Sequence, residues 1–177
     1  MASQGVLLSV VLTEEQIRTK VAELGAQISA DAKGRTQNVV AVLDNGFMMM
    51  ADLVRHLSCP VVCKFVKLET RDTVEDGHER REIFYTPILD IKDQDFLLVD
   101  AVLHTGVTLE HLVHQLMIKG ARAVKTAVLI DKTEERRVSL QADYWGFREV
   151  KGRFLVGYGM GHQELYRNLP HVADLKP

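Results

Sequence analysis

The sequence has few cysteines, no long apolar run and almost no net charge. Cys59 and Cys63 are its 2 cysteines. Without a further ligand pair they do not make a zinc site, so we interpret them as small side chains flanking a strand.

No apolar run reaches the roughly 18 residues of a membrane span. The start, MASQGVLLSVVLTEEQ, lacks the basic residues of a secretory signal. A net charge of −2 gives no general attraction to nucleic acid or to an anionic membrane. We therefore expect a protein of the reducing cytoplasm that binds neither.

The composition is that of an ordinary globular protein. Its 177 residues are 46% hydrophobic and 26% charged, which allows one domain with a sizeable core. The sequence shows no internal repeat, linker or low-complexity segment. We therefore expect a single domain over residues 1–177.

Apolar residues alternate between helical and strand spacing along the chain. Residues 12–33 have helical spacing, and Thr13 with Gln16 forms a potential capping box. Further helices are predicted over 47–57 and about 105–119, the latter ending at Gly120. Strands are predicted at 38–44, 60–70, 95–100, 123–131, 142–147 and 153–159. This order predicts an α/β fold with an open, mostly parallel sheet flanked by helices. The last two strands form either a small hood or an added edge.

Residues 71–82, RDTVEDGHERRE, are almost all polar or charged. They have no apolar stripe, so we predict a mobile loop. Such a loop is either a solvated connector or a cover for an active site, since long loops in compact domains are often functional.

The stretch VDAVLHTGVT, residues 99–108, joins a predicted buried strand to a predicted helix. Asp100 stands at the carboxyl end of the strand, where open α/β sheets bind their ligands. Residues 105–108, Thr-Gly-Val-Thr, open the helix, where free N–H groups and the helix dipole favour an anion. Asp100 can accept hydrogen bonds from sugar hydroxyls. The stretch therefore predicts a site for a sugar phosphate, the alternative being a capped helix with nothing bound.

This stretch resembles the phosphoribosyl-diphosphate (PRPP) loop of the type I phosphoribosyltransferases. Six further segments resemble the hypoxanthine-guanine phosphoribosyltransferases in the family order: LTEEQI, VLDNGFMMMADLVRHL, LIDKTEERR, ADYWGF, RFLVGYGMG and LYRNLP. The resemblance implies a core over about 35–140 and a hood from about 1–12 and 141–177. It implies transfer of phosphoribosyl from PRPP to hypoxanthine or guanine, giving IMP or GMP and pyrophosphate. It also implies Mg²⁺ as cofactor and a homodimer or homotetramer.

The resemblance assigns the ribose and phosphate positions. The family's 5′-phosphate cradle corresponds to Thr105, Gly106, Val107 and Thr108. Asp100 matches the first of two ribose acids and is the expected metal ligand, whereas the second acid is Ala101 here. His104 stands where the family has an Asp near purine N7. A neutral histidine can accept that proton but does not bring the negative charge. Alternatively, His104 is only a solvent-tolerant loop residue.

The purine positions follow from the same comparison of motifs. Lys132 matches the lysine that binds the 6-oxo oxygen, Phe154 the aromatic that stacks on the base, and Leu155 the residue whose backbone reads the purine edge. Gly161 stands where the family has a metal-linked Asp, although its carbonyl can still meet a purine amino group. His162, beside it, is a poor magnesium ligand. The alternatives are a surface lysine at 132 and a core phenylalanine at 154.

The expected pyrophosphate loop consists of Leu43, Asp44, Asn45 and Gly46, with Arg167 from the C-terminal part. The family has a basic residue and a glycine after the leucine, so Asp44 and Asn45 depart from it. A cis peptide is found at this loop in the family, and the sequence leaves its presence here open. Arg167 alternatively serves a structural ion pair.

Three functions are therefore open. The leading one is a purine phosphoribosyltransferase with His104 as base, Asp100 as ribose ligand and Lys132 as base selector. The departures at Ala101, His104, Gly161 and 44–45 favour instead a non-catalytic purine-nucleotide sensor or regulatory protein. The third is a transferase with a different base or donor.

Overall fold

A six-stranded sheet forms the centre of the computed structural model, which describes residues 7–75, 78–85, 90–148 and 152–176. The strands are β1 (Leu7–Leu12), β2 (Gln37–Leu43), β3 (Val61–Glu75), β4 (His78–Tyr85), β5 (Asp95–Leu103), β6 (Ala123–Asp131), β7 (Tyr144–Arg148), β8 (Leu155–Val156) and β9 (Val172–Lys176). The central sheet has the order β4-β3-β2-β5-β6-β7. Adjacent strands of this sheet pair in parallel, except that β3 and β4 are antiparallel. The predicted α/β class is confirmed.

In the described ranges, three α-helices cover the sheet: α1 (Glu14–Ala32), α2 (Phe47–Leu53) and α3 (Val107–Ile118). The capping box predicted for α1 is present. The Thr13 hydroxyl accepts from the Gln16 amide at 3.2 Å, and the Gln16 side chain accepts from the Thr13 amide at 2.9 Å. Within the described residues, no helix is both long and apolar enough to cross a membrane.

The two faces of the sheet bury two apolar clusters. One face packs against α1, α2 and the C-terminal segment, with Ile17, Met49 and Tyr158 among its members. The other packs against α3 through residues such as Phe96 and Leu112. The sheet therefore lies between two helical layers, as a parallel sheet requires, because both of its faces are apolar.

A second, three-stranded antiparallel sheet has the order β1-β9-β8, and it joins the two ends of the chain. This sheet is the hood that we expected from the termini. The hood begins later than the expected residue 141, however, because β7 pairs in parallel with β6 and its Tyr144 is buried in the main core. Of the two predicted C-terminal strands, one is thus the added edge and the other belongs to the hood.

The prediction of a loop over residues 71–82 is wrong. β3 continues to Glu75 and β4 begins at His78, and the two pair as an antiparallel ribbon from Leu68↔Tyr85 to Glu75↔His78. Residues 76–77 lie outside the described part. Backbone hydrogen bonds between the two arms make such a ribbon without the apolar stripe that guided the prediction.

Candidate active site

The carboxyl ends of β2 and β5 open into one cavity of about 390 Å³. Its walls come from the loop after β2, the end of β5 and the start of α3, and they include Leu43, Asn45, Asp100, His104, Gly106 and Thr108. Ligands of open α/β sheets bind at this end of the strands. The structure thus brings together the residues predicted for the ribose, the 5′-phosphate and part of the pyrophosphate.

Asp100 is the buried acid of this cavity. The amide of Ala101 donates to its Oδ1 at 2.7 Å. Burial raises the pKa of Asp100 to about 7, against the opposing effect of hydrogen bonds from the Ala101 and Val102 amides. A carboxylate held away from water at a cavity wall is suited to accept hydrogen bonds from sugar hydroxyls or to meet a cation.

Ala101 lies on the opposite face of β5, because successive strand residues point to opposite sides. Its side chain is fully buried in the apolar cluster beneath α2. At the start of α2, a side chain on Gly46 would lie 2.4 Å from the carbonyl oxygen of Val99. The helix therefore approaches the β5 backbone closely, which suits a small residue at position 101.

The 5′-phosphate cradle, residues 105–108, is an open helix N-terminus. Gly106 is the N-cap of α3 at φ 84°, and no side chain caps the helix. A side chain on Gly106 would lie 2.6 Å from Val138 Cγ2 and 2.9 Å from Arg136 Cδ, so the position requires glycine for space as well as for its φ. The first amides of α3 are thus without a side-chain cap at Gly106, as an anion site at this helix N-terminus requires.

His104 connects the cradle to the end of β6. Its imidazole Nε2 hydrogen-bonds the carboxylate of Glu135, in a 3-10 helix at Thr133–Glu135. The His104 side chain is 51% exposed, whereas that of Glu135 is 21% exposed. The hydrogen bond from His104 is the main cause that lowers the pKa of Glu135, so Glu135 is a carboxylate at neutral pH. His104 is thus held by an acid, not merely tolerated by solvent.

Lys132 is buried at the end of β6, so the surface-lysine alternative is wrong. Its amide donates to the Leu103 carbonyl at 3.0 Å, which fixes the backbone beside β5. Its Nζ donates to the Arg153 carbonyl at 2.8 Å and lies 3.5 Å from Oε1 of Glu135. A buried ammonium between a carbonyl and a carboxylate is held in place to meet another acceptor.

Phe154 is 51% exposed, so the core-phenylalanine alternative is wrong. Its ring makes an edge-to-face contact with His162 at 5.1 Å between centroids. The two rings line a second hollow, on the hood, which is separate from the cavity at Asp100. Leu155, the next residue, is buried in β8 and pairs with Asp174 of β9. The hood therefore presents an aromatic face while β8 anchors it.

Arg167 of the C-terminal segment holds the expected pyrophosphate loop. Its Nη1 donates to Asn45 Oδ1 and to the Gly159 carbonyl, both at 2.8 Å. Its Nη2 lies 3.8 Å from Asp44 Oδ2. The Leu43–Asp44 peptide is cis, which answers the question that the sequence left open. The acid at position 44 is therefore faced by a guanidinium.

Gly161 lies directly under Arg167. A side chain on Gly161 would come within 2.9 Å of Cγ, Nε and Cζ of that arginine. The space that an aspartate would need is filled by the guanidinium. The glycine at position 161 therefore leaves the space that the Arg167 side chain occupies.

Comparison with known proteins agrees with this geometry, since residues 10–164 match the family description of the phosphoribosyl transferase domain. The chain belongs to the phosphoribosyl transferase family. A relative named hypoxanthine-guanine phosphoribosyltransferase from Bacillus subtilis is 33% identical, over 95% of this chain and 93% of the relative.

Solved structures of phosphoribosyl transferases superpose over nearly the full chain. A hypoxanthine-guanine phosphoribosyltransferase from Bacillus anthracis has a TM-score of 0.84 at 32% identity, covering 98% of this chain and 100% of its own. A hypoxanthine phosphoribosyl transferase from Trypanosoma cruzi, studied for the role of its C-terminal region in oligomeric state and enzymatic activity, has a TM-score of 0.85 at 29% identity. The match covers 100% of this chain and 95% of that one.

The site offers few side chains that could hold a metal ion. In the described part of the chain, no three His, Cys, Asp or Glu residues group to hold a metal ion. The cavity offers the buried carboxylate of Asp100. Mg²⁺ keeps several waters and is often bound by one or two carboxylates plus substrate phosphates. The residues therefore fit an ion that arrives on a diphosphate, with Asp100 as its side-chain ligand, and do not fit a cage of protein ligands.

Glu135 is the residue of this phosphoribosyl transferase site that the sequence interpretation missed. It lies in TEERR, a charged run after Lys132, and such runs usually form a solvated surface. Glu135 lies three residues after Lys132, which was assigned to the purine. Side chains three apart on a helical turn lie on the same side, so this spacing could have indicated Glu135.

Proposed function

We propose that the chain transfers the phosphoribosyl group of PRPP to hypoxanthine or guanine, giving IMP or GMP and pyrophosphate. The observation that carries this proposal is the cavity in which Asp100 stands between an open 5′-phosphate cradle and the loop of Leu43 and Asn45. A sugar with a phosphate at one end and a diphosphate at the other fits such an order of groups. The names of the full-length relatives support the choice of base.

PRPP binding is assigned to three groups of residues. The amides and hydroxyls of residues 105–108 bind the 5′-phosphate at the N-terminus of α3. Asp100 accepts hydrogen bonds from the ribose hydroxyls. Asn45, Gly46 and the guanidinium of Arg167 meet the pyrophosphate from the other side, together with the backbone of Leu43 and Asp44.

The base is assigned to the region between Lys132 and Phe154. Lys132 donates to the 6-oxo oxygen, a role that favours 6-oxopurines because a 6-amino group offers no acceptor there. Phe154 stacks on the ring, and the backbone of Leu155 and Gly161 reads its far edge. These last three residues lie in the C-terminal part of the chain, at or near β8.

The transfer needs charge stabilisation and one proton acceptor. As the bond from C1′ to the pyrophosphate oxygen breaks, the leaving group keeps the electron pair and C1′ becomes cation-like. N9 of the purine forms the new bond, and His104 takes the proton from N7. Asp100 would be the protein ligand of Mg²⁺, and the ion bound to the diphosphate would supply charge neutralisation for the leaving group.

Three of the departures that favoured a non-catalytic protein have a structural account. His104 is paired with an acid, and Asp44 and Gly161 are both accommodated by Arg167. We therefore propose an enzyme rather than a nucleotide sensor.

A radiolabelled-purine assay tests the function. Purified protein with PRPP and Mg²⁺ is expected to form IMP from hypoxanthine and GMP from guanine, with no product when PRPP is omitted. Xanthine and adenine serve as comparison bases. Absence of any nucleotide above background at micromolar enzyme with hypoxanthine, guanine and xanthine would overturn the proposal. Binding of GMP without turnover would then identify a sensor.

Assembly and location are proposed with the function. We propose a homodimer or homotetramer, which light scattering of the purified protein measures directly. We also propose a cytoplasmic location, with which the unpaired thiols of Cys59 and Cys63 are consistent.

A further inference from the structure

His104 and Glu135 form a histidine–carboxylate pair at the edge of the ligand cavity. His104 lines the cavity, and Glu135 bonds its Nε2 from the 3-10 helix that follows β6. The two residues are 31 positions apart, so the pair depends on the parallel neighbours β5 and β6 ending at the same edge of the sheet.

The pairing decides which imidazole nitrogen is basic. A carboxylate accepts hydrogen bonds and donates none, so the proton of neutral His104 lies on Nε2. Nδ1 is then left with its lone pair, ready to accept a proton. Orientation of an imidazole by a carboxylate on its far nitrogen is how histidine bases are fixed in one tautomer.

The pair also restores a charge that a histidine alone does not bring. Before proton transfer, neutral His104 with ionised Glu135 carries one negative charge. After His104 takes a proton, the imidazolium and the carboxylate sum to zero. A single aspartate passes through the same two net charges. The pair is therefore electrostatically equivalent to one carboxylate beside a cation-like sugar, although its negative end lies further away.

Glu135 reaches the second group assigned to the purine as well. Its Oε2 bonds His104, and its Oε1 lies 3.5 Å from Nζ of Lys132, which is itself fixed by the Arg153 carbonyl. O6 and N7 lie side by side on one edge of a 6-oxopurine. One carboxylate thus sets the spacing between a donor for O6 and an acceptor for N7.

We propose that Glu135 is a positioning residue which, acting through His104, makes that histidine the base for purine N7 and supplies a negative charge beside it. The proposal rests on the proposed transferase function. In the balanced step, the N7 proton passes to Nδ1 of His104 as N9 bonds to C1′, and the electron pair of the broken C1′–O bond leaves with pyrophosphate.

Steady-state kinetics of Glu135→Gln and Glu134→Gln provide the test. Glu134 is the neighbouring, exposed glutamate of the same 3-10 helix, so its substitution is the matched control. For E135Q we expect kcat to fall about 10²-fold, as for loss of a general base, with a much smaller change in the KM for hypoxanthine. E134Q is expected to keep the wild-type kcat. An E135Q enzyme with wild-type kcat, or equal losses in both variants, would overturn the proposal.

A second background separates positioning from folding. In His104→Asp the aspartate needs no partner, so adding Glu135→Gln is expected to lower kcat much less than in the wild-type background, with the remaining loss coming from the contact of Glu135 with Lys132. The same loss in both backgrounds would show a merely structural role and overturn the proposal.

The imidazole itself supplies a readout that does not depend on turnover. In ¹⁵N spectra, with the His104 signals assigned by their loss in His104→Asp, we expect a protonated Nε2 and an unprotonated Nδ1. E135Q is expected to lose this preference. A wild-type His104 protonated on Nδ1 would overturn the proposal. An inactive wild-type protein with the expected tautomer would instead overturn the proposed function and the catalytic role of the pair, leaving only its geometry.

Discussion

Arg167 crosses Gly161 so closely that a side chain at position 161 would meet three of its atoms at 2.9 Å. From there the guanidinium reaches Asn45 at 2.8 Å and approaches Asp44 at 3.8 Å. Arg167, which lies between β8 and β9, thus contacts the loop after β2. The glycine at position 161, where the family has an aspartate, leaves the space that the Arg167 side chain occupies here.

Replacing Gly161 by aspartate is therefore expected to weaken the enzyme, even though it restores the residue of the family pattern. The new side chain displaces Arg167 at a cost of about 1–3 kcal/mol, as overpacking generally does, and the KM for PRPP should rise. Initial rates over a range of PRPP concentrations measure this.

Gly161→Ala supplies the control, since it brings bulk without charge and should share the effect. In an Arg167→Ala background neither substitution should raise the KM for PRPP further. A Gly161→Asp enzyme faster than the wild type would contradict the expected displacement of Arg167. It would favour a metal ligand at position 161.

The ionised form of Asp100 is expected to destabilise the folded protein, although the proposed reaction needs it. Its pKa of about 7 lies above the ordinary value of 3.8 for an unfolded aspartate, because the folded protein disfavours the charged form. The folded state thus binds more protons than the unfolded state between about pH 4 and 7, and stability falls as the pH rises through this window. Asp100→Asn keeps the shape and removes the charge.

Denaturation of the metal-free protein in EDTA at about pH 5 and about pH 8, on either side of the folded-state pKa, measures this difference. The stability of wild type should decrease relative to Asp100→Asn as the pH rises, while the variant loses transferase activity at both values. Equal pH dependence of the two proteins would show that Asp100 is not destabilised by burial in the free enzyme.

Much of the fold was accessible from local sequence patterns. β6 was predicted at 123–131, as observed, because the apolar run at 127–130 marks a buried strand. The capping box of Thr13 and Gln16 was predicted because it needs only residues three apart. The ribbon of β3 and β4 was not predicted, because its pairing uses backbone groups that side-chain periodicity does not record.

The site was predictable where a motif lies on one segment and not where two segments meet. Residues 105–108 belong to one strand–helix turn, and Thr105, Gly106 and Thr108 line the cavity. The contact of Gly161 with Arg167 needs a chain reversal in which Gln163, Glu164 and Tyr166 all have positive φ, which their residue types do not indicate. The pairing of Glu135 with His104 depends on the strand order and has no local signal.

The stability of the sheet in acid is expected to depend on Asp95, at the amino end of β5. Arg122 Nε donates to its Oδ1 at 2.6 Å and Arg35 Nε to its Oδ2 at 2.8 Å. The hydrogen bond from Arg122 is the main cause that lowers the pKa of Asp95 to about 2. The ion pairs of Asp95 with Arg122 and Arg35 therefore stabilise the fold above about pH 4. This contribution is lost as the pH falls from about 4 to about 2.

Urea denaturation of wild type and Asp95→Asn at about pH 6 and about pH 2.5 measures the contribution. The variant should be less stable near neutrality, with the difference shrinking in acid. Because both arginines are half exposed, the effect should be at the modest end of ion-pair energies, about 1 kcal/mol. A difference that stays constant with pH would show that packing, not charge, is responsible.

Lys132 is expected to determine selection for 6-oxopurines. Its buried Nζ is fixed by the Arg153 carbonyl and aimed, in the proposed function, at the 6-oxo oxygen. In Lys132→Met the chain keeps its length and loses the donor. Since a hydrogen bond from a charged group is worth about 1.5–3 kcal/mol, kcat/KM for hypoxanthine and guanine should fall about 10- to 100-fold.

Calorimetric binding of ribose 5-phosphate is the control for the Lys132→Met variant. The 5′-phosphate cradle belongs to α3 and has no contact with the ammonium group in the described hydrogen bonds, so its affinity should stay near that of wild type. Loss of both purine turnover and ribose 5-phosphate binding would indicate a disturbed fold. If the variant still binds ribose 5-phosphate and its selectivity between hypoxanthine and adenine is unchanged, Lys132 does not determine the choice of base. The selection would then come from residues of the hood.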